Sequence, residues 1–128
     1  MWITILAEII FVAGTAAIIG LIIKVALLTV NFVMGKIREK LAVRAGRKVF
    51  MSSVAKLAQE ISAEAERTGN IHKVDDLMRA MGDKGVAIAA IDSDGTVDED
   101  DIQIYSANSV DDKLSRLLAD NNGELVIN

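Results

Sequence analysis

The sequence predicts an α+β membrane protein, with a single N-terminal transmembrane helix that runs on into a helical stalk and carries a small cytoplasmic α/β head of ββαβ order. Three observations predict it. Residues 2–34 are almost wholly apolar, Glu8 and Lys24 being the only charges among them. A strongly basic segment follows at once, and after Gly85 the apolar residues leave a helical period for short runs while the charge turns acidic. In a chain of 128 residues, 52% hydrophobic, 25% charged and of net charge −4, the mean hydropathy is still +0.35. That value is high for a water-soluble domain of this size, and its concentration at one end points to the bilayer.

The apolar segment is the first element. A cleavable signal peptide needs a basic start and a short apolar core, but Met1 to Ala7 holds no Lys or Arg and the run does not stop after a signal-length core. A span needs ~20 apolar residues to cross ~30 Å of hydrocarbon. Residues 2–34 as one helix would reach ~50 Å at ~1.5 Å per residue, too long for one span and too short for two. The excess is expected to leave the membrane as a stalk that neighbouring chains cover.

On a straight helix at ~100° per residue, Ala17, Gly20, Lys24 and Asn31 fall within about 40° of Ala13, so small and polar residues share a stripe. This stripe, Ala13, Ala17, Gly20, Lys24 and Asn31, is the expected helix–helix interface, since small residues let helices approach closely in lipid. Glu8 lies nearly opposite, with Thr4, Thr15, Ile22 and Thr29, and reads as an intramembrane acid on a second contact face. Two unlike faces imply a heterologous contact and hence a homo-oligomer that forms a ring or a filament rather than a closed pair. The plainer arrangement has Lys24 snorkelling to the cytoplasmic headgroups and Glu8 at the outer interface, with no partner.

The basic middle, residues 35–84, holds 11 basic and 7 acidic residues. Lys36, Arg38, Lys40, Arg44, Arg47 and Lys48 stand immediately after the apolar run against the single acid Glu39. Their position orients the chain with its C-terminus in the cytoplasm, single-pass in the inner (cytoplasmic) membrane, and makes them candidate contacts for anionic lipid. A helical period runs through Met34, Ile37 and Leu41, falters at Ala45-Gly46 and resumes as Phe50, Val54, Leu57, Ile61 and Ala65. Thr68-Gly69-Asn70 reads as a helix stop and restart, with Asn70 as N-cap of a short helix that ends at Gly82.

The acidic end, residues 85–128, holds 2 basic and 10 acidic residues. Val86 to Ile91 and the segment around Ile102, Ile104 and Tyr105 read as strands, Asn108 or Ser109 followed by Asp111 and Asp112 marks the start of a helix that stops at Asn121-Asn122-Gly123, and Glu124 to Asn128 reads as an edge strand. Between the strands, placing Gly95 at the sixth position of a calcium loop puts Asp92, Asp94, Asp98 and Asp101 at positions 3, 5, 9 and 12. Ala90 at the first position, Asp in place of the bidentate Glu and strand flanks all argue for a hairpin loop with an Asp-Gly turn instead. Its five acids from Asp94 to Asp101 repel one another and call for a cation or a basic surface, such as the basic segment of an adjacent subunit.

Composition excludes much chemistry. With no Cys there are no disulfides, zinc–thiolate sites or thiol nucleophiles, and His72, the single His, reads as a surface residue beside a helix start. No metalloprotease helix, Gly-rich phosphate loop or supported Ser-His-Asp set is present, so neither catalysis nor a cofactor is expected. The basic cluster lacks interleaved aromatics, which argues against nucleic acid. The expected role is a membrane-anchored structural subunit that contacts lipid, homo-oligomerises and docks with partner proteins in a multi-subunit assembly or pore. The alternative is a ligand- or cation-sensing membrane effector whose head gates an oligomeric helix bundle.

Overall fold

The computed structural model describes residues 2–70 and 74–128, so His72 lies outside the described residues. Helix α1 (Trp2–Ala13) and the short α2 (Thr15–Ile19) lead into strand β1 (Ile22–Leu28) and helix α3 (Val30–Leu41). Strand β2 (Lys48–Ser53), helices α4 (Val54–Thr68) and α5 (Asp75–Met81), strands β3 (Gly85–Ile91) and β4 (Val97–Val110), helix α6 (Asp112–Asp120) and strand β5 (Glu124–Ile127) complete the chain. The strands form one mixed sheet in the order β1-β4-β3-β2-β5. β1 is parallel to β4, whereas β3 runs antiparallel to β4 and β2, and β5 antiparallel to β2. The carboxyl ends of β1, β2 and β4 therefore share one end of the sheet.

This architecture overturns the transmembrane reading and the membrane localisation drawn from it. Among the described residues no helix is long and apolar enough to cross a membrane. Residues 2–34 are divided among α1, α2, β1 and the start of α3. Gly14, at φ +97°, takes a conformation no helix contains and ends α1. The β-branched pair Ile22-Ile23, with Val25, then favours a strand. The segment is apolar because it supplies inner layers of an α+β domain. α1 buries Ile3, Leu6, Ala7 and Ile10, an i, i+3, i+4, i+7 stripe, and each large side chain so buried contributes about 1.5–3 kcal/mol of transfer free energy.

Helices cover both faces of the sheet. On one face, α1, α4 and α5 pack through Leu6, Ile10, Leu57, Ile61 and Leu77 onto Phe50, Ala87, Ala89, Ile102 and Ile104. On the other, Val33 and Ile37 of α3 and Leu114 and Leu118 of α6 pack onto Val49, Met51, Val86, Ile88 and Tyr105. β3 is buried along its whole length. Its alanines 87 and 89 leave room for the helices of the first face, while Val86 and Ile88 fill the second.

Two further differences concern the basic middle. Residues 48–53 are the strand β2, not part of a helix, because Val49 and Met51 face one cluster while Phe50 faces the other. The spacing Phe50, Val54, Leu57 imitates a helical seam across what is a strand-to-helix junction. α4 starts only where Ser53 accepts a hydrogen bond from the Lys56 N–H at 3.1 Å, and it stops at Gly69, which takes φ +74°. Asn70 does not cap α5; its amide donates to the Thr68 carbonyl, and the preceding N-cap position is Val74. Residues 85–128 do follow strand–strand–helix–strand order, but they form no separate head, since β1 and β2 pair with them in the same sheet.

Candidate functional site

The amino ends of β2 and β4 meet in a cluster of ion pairs. Arg47, just before β2, is 1% exposed and reaches three carboxylates: Nε donates to Asp92 at 3.1 Å, Nη2 to Asp98 at 2.5 Å and Nη1 to Asp101 at 3.0 Å. Nη1 also donates to the Lys40 carbonyl at 3.3 Å. Lys40, 4% exposed, pairs with Asp101 and donates to its carbonyl at 2.8 Å, and Arg44 reaches Asp92 at 3.1 Å. Burial works against the Arg47 charge, but the hydrogen bonds and attraction of Asp92, Asp98 and Asp101 outweigh it and raise the guanidinium above its ordinary pKa. Three cations therefore face three anions, and the cluster ties α3 and β2 to the β3–β4 hairpin.

This geometry redirects two sets of sequence candidates. Lys40, Arg44 and Arg47, expected at lipid headgroups, are spent on the acidic hairpin of their own chain. Lys36 lies over the Phe32 ring and near Glu39, whereas Arg38 and Lys48 are exposed. Asp92, Asp98 and Asp101 converge on a guanidinium, which occupies the place a cation would take. Among the described residues no group of three or more His, Cys, Asp or Glu is arranged to hold a metal ion. Asp94 turns aside to accept hydrogen bonds from the Thr96 hydroxyl at 2.6 Å and N–H at 3.0 Å, which hold its carboxyl below the usual range. Gly95 makes the turn at φ +86°.

The candidate interface stripe is dispersed. Ala13 ends α1, Ala17 lies in α2, Gly20 in the turn after it, Lys24 in β1 and Asn31 in α3, so they share no helix face. Lys24 donates to the Ala80 carbonyl of α5 at 3.1 Å. Glu8 is exposed on α1, 3.8 Å from Arg67 of α4, which also pairs with Glu64.

What sequence reasoning missed is the edge made by β1. β1 is an outermost strand, so one row of its backbone N–H and C=O groups has no strand partner among the described residues. Leu21, Ile23 and Leu27 are 48%, 42% and 54% exposed along it. Ile23 lies beside Tyr105 in register, and Phe32 stacks edge-on against the same ring at 5.3 Å between centroids. The signal was the alternation of Ile23, Val25 and Leu27, hidden because Ile22, Ala26 and Leu28 on the alternate positions are apolar too, with only Lys24 breaking the run.

At the opposite end of the sheet, where β2 and β4 finish, a cleft of about 430 Å³ opens between α6 and the start of α4. Val110, Leu118 and Ala119 supply an apolar wall; Ser53, Ser109 and Ser115 bring hydroxyls. Asp83 and Lys84 form the rim beside Gly85, where a Cβ would stand 1.9 Å from the Tyr105 carbonyl oxygen. Only glycine allows β3 to start so close to β4. No family model, curated protein or solved structure matches this chain.

Proposed function

We propose that the protein is an assembly subunit that pairs with a second copy of itself through β1 and docks by this means within a larger complex, a binding role rather than a catalytic one. The observation that carries this reading is the unguarded β1 edge. Natural sheets blunt exposed edges with charges, proline, bulges or short strands. β1 has seven residues and one charge, Lys24, whose ammonium is held on the Ala80 carbonyl. Antiparallel pairing about a two-fold axis at Val25 sets Ile23 opposite Leu27 of the second copy and Lys24 opposite Ala26, so the exposed apolar residues meet and the two lysines are offset. A two-fold contact of this kind is isologous and closes as a dimer. The ring or filament expected from two unlike helix faces loses its basis, since those faces do not exist.

Light scattering on the full chain tests this. The wild-type protein is expected to run as a dimer and the Ile23→Lys/Leu27→Lys variant as a monomer with unchanged circular dichroism, because both side chains are already exposed. A monomeric wild-type chain, or a dimer indifferent to these substitutions, overturns the reading.

A further inference from the structure

The cleft at the carboxyl ends of β2 and β4 has chemistry that the β1 contact does not use. Its volume, about 430 Å³, lies within the ~300–1,000 Å³ of small-molecule pockets and toward their lower end. It sits where open α/β sheets commonly receive ligands, outside the carboxyl ends of strands and between helices on opposite faces. The lining is specific in three respects.

First, Asp83 and Lys84 stand side by side at the rim, and neither forms an ion pair among the described residues. Lys84 makes one long hydrogen bond, to the Asn108 carbonyl at 3.4 Å. A purely anionic ligand would meet Asp83, and a purely cationic one Lys84; a ligand bearing both charges satisfies both. Second, the two helix starts at the cleft are not equivalent. The Asp111 carboxylate already occupies the first turn of α6, accepting from the Leu114 N–H at 2.8 Å. α4 is capped only by the neutral Ser53 hydroxyl, whose proton remains to be donated, so the positive helix end favours a carboxylate on the Ser53 side. Third, Val110, Leu118 and Ala119 give the remaining wall an apolar area, with the Ser109 and Ser115 hydroxyls beside it, and that area suits an aliphatic group.

We infer that this cleft binds a free α-amino acid with an aliphatic side chain. Its carboxylate lies toward Lys84 and the Ser53 hydroxyl, its ammonium toward Asp83 and its side chain on the α6 wall. Calorimetry on the full chain with L-leucine, its deaminated analogue 4-methylpentanoate and its decarboxylated analogue 3-methylbutylamine separates the contributions. Leucine is expected to bind saturably, and each analogue at least about tenfold more weakly, the equivalent of about 1.4 kcal/mol. Lys84→Met should bring leucine down to the affinity of the amine, and Asp83→Asn to that of the acid. Both residues are exposed, so the melting temperatures without ligand should stay at the wild-type value. Ala119→Trp, entering the cleft from an exposed helix position, should abolish binding. Absence of saturable leucine binding, equal affinity for all three compounds, or wild-type affinity in the Asp83, Lys84 and Ala119 variants overturns the assignment. The β1 contact plays no part here, and the Ile23→Lys/Leu27→Lys variant should bind leucine as the parent does.

Discussion

The two ends of the sheet treat charge in opposite ways. At the amino ends of β2 and β4, three cations and three aspartates close on one another around a guanidinium that is 1% exposed. At the carboxyl ends of the same strands, Asp83 and Lys84 stand beside a cleft and form no ion pair among the described residues. The difference separates charges that hold the fold from charges available to something else. A charge compensated within its own chain has already exchanged its hydration for partners; an uncompensated one at a concave rim has not.

The contrast can be broken or sharpened by substitution, starting with the closed end. Arg47→Met keeps the length of the side chain and removes the hub, leaving three carboxylates to share Lys40 and Arg44. Loss of one partner from a buried ionic group costs about 3–5 kcal/mol, so urea denaturation should show a fall of that size. A loss below about 1 kcal/mol would mean that the cluster is ornamental. Tyr105→Phe should cost about 1 kcal/mol through the hydrogen bond its hydroxyl donates to Gln103 at 2.9 Å. It also has a pH signature. Burial raises the Tyr105 pKa, with Glu39 and Asp101 adding to the effect, so the stabilisation is full below the unfolded value near 10 and is lost as pH rises through the folded value. Alkaline denaturation of the phenylalanine variant should be displaced upward.

At the open end, Lys84→Met should change stability by no more than about 0.5 kcal/mol, as befits an exposed side chain without an ion-pair partner. A larger loss would make the rim structural and erase the contrast. The smallest effect belongs to Asp94, whose carboxyl is held low by Thr96. Its contribution is present above the unfolded carboxylate pKa and disappears as pH falls through the folded one, so Asp94→Asn should alter only the acid limb of a stability profile.

The charge pattern was legible in part. That the acidic run from Asp94 to Asp101 needs a basic surface follows from like-charge repulsion, and the segment supplying it, Lys40 to Arg47, could be named. That it belongs to the same chain could not, because only the sheet brings residue 47 beside residues 92, 98 and 101. The end of α4 at Gly69 was readable because capping is local chemistry; its start at Ser53 was not, since Phe50, Val54 and Leu57 carry a helical spacing back across β2. The start of α6 lies two or three residues beyond Asn108 or Ser109, because β4 runs on to Val110 and Asp111 takes the cap. β1 was not readable: a strand with apolar residues on consecutive positions has the same hydropathy as a membrane helix, and one lysine in it looks like an intramembrane charge. The cleft was invisible, since Ser53, Asp83, Ser109 and Gly123 have no common motif and are assembled by strand order.

The parallel pairing of β1 with β4 bears on how the chain is made. Ile22 aligns with Ile104, so the N-terminal strand leaves the ribosome 82 residues before its partner exists. At about 5–20 residues per second that interval is about 4–16 s, during which Leu21, Ile23 and Leu27 have no sheet to join. Contacts so distant in sequence also form slowly after synthesis ends. β1 is thus made well before the strand that pairs with it and is among the last elements to be covered, which makes it the natural target of chaperones during biogenesis.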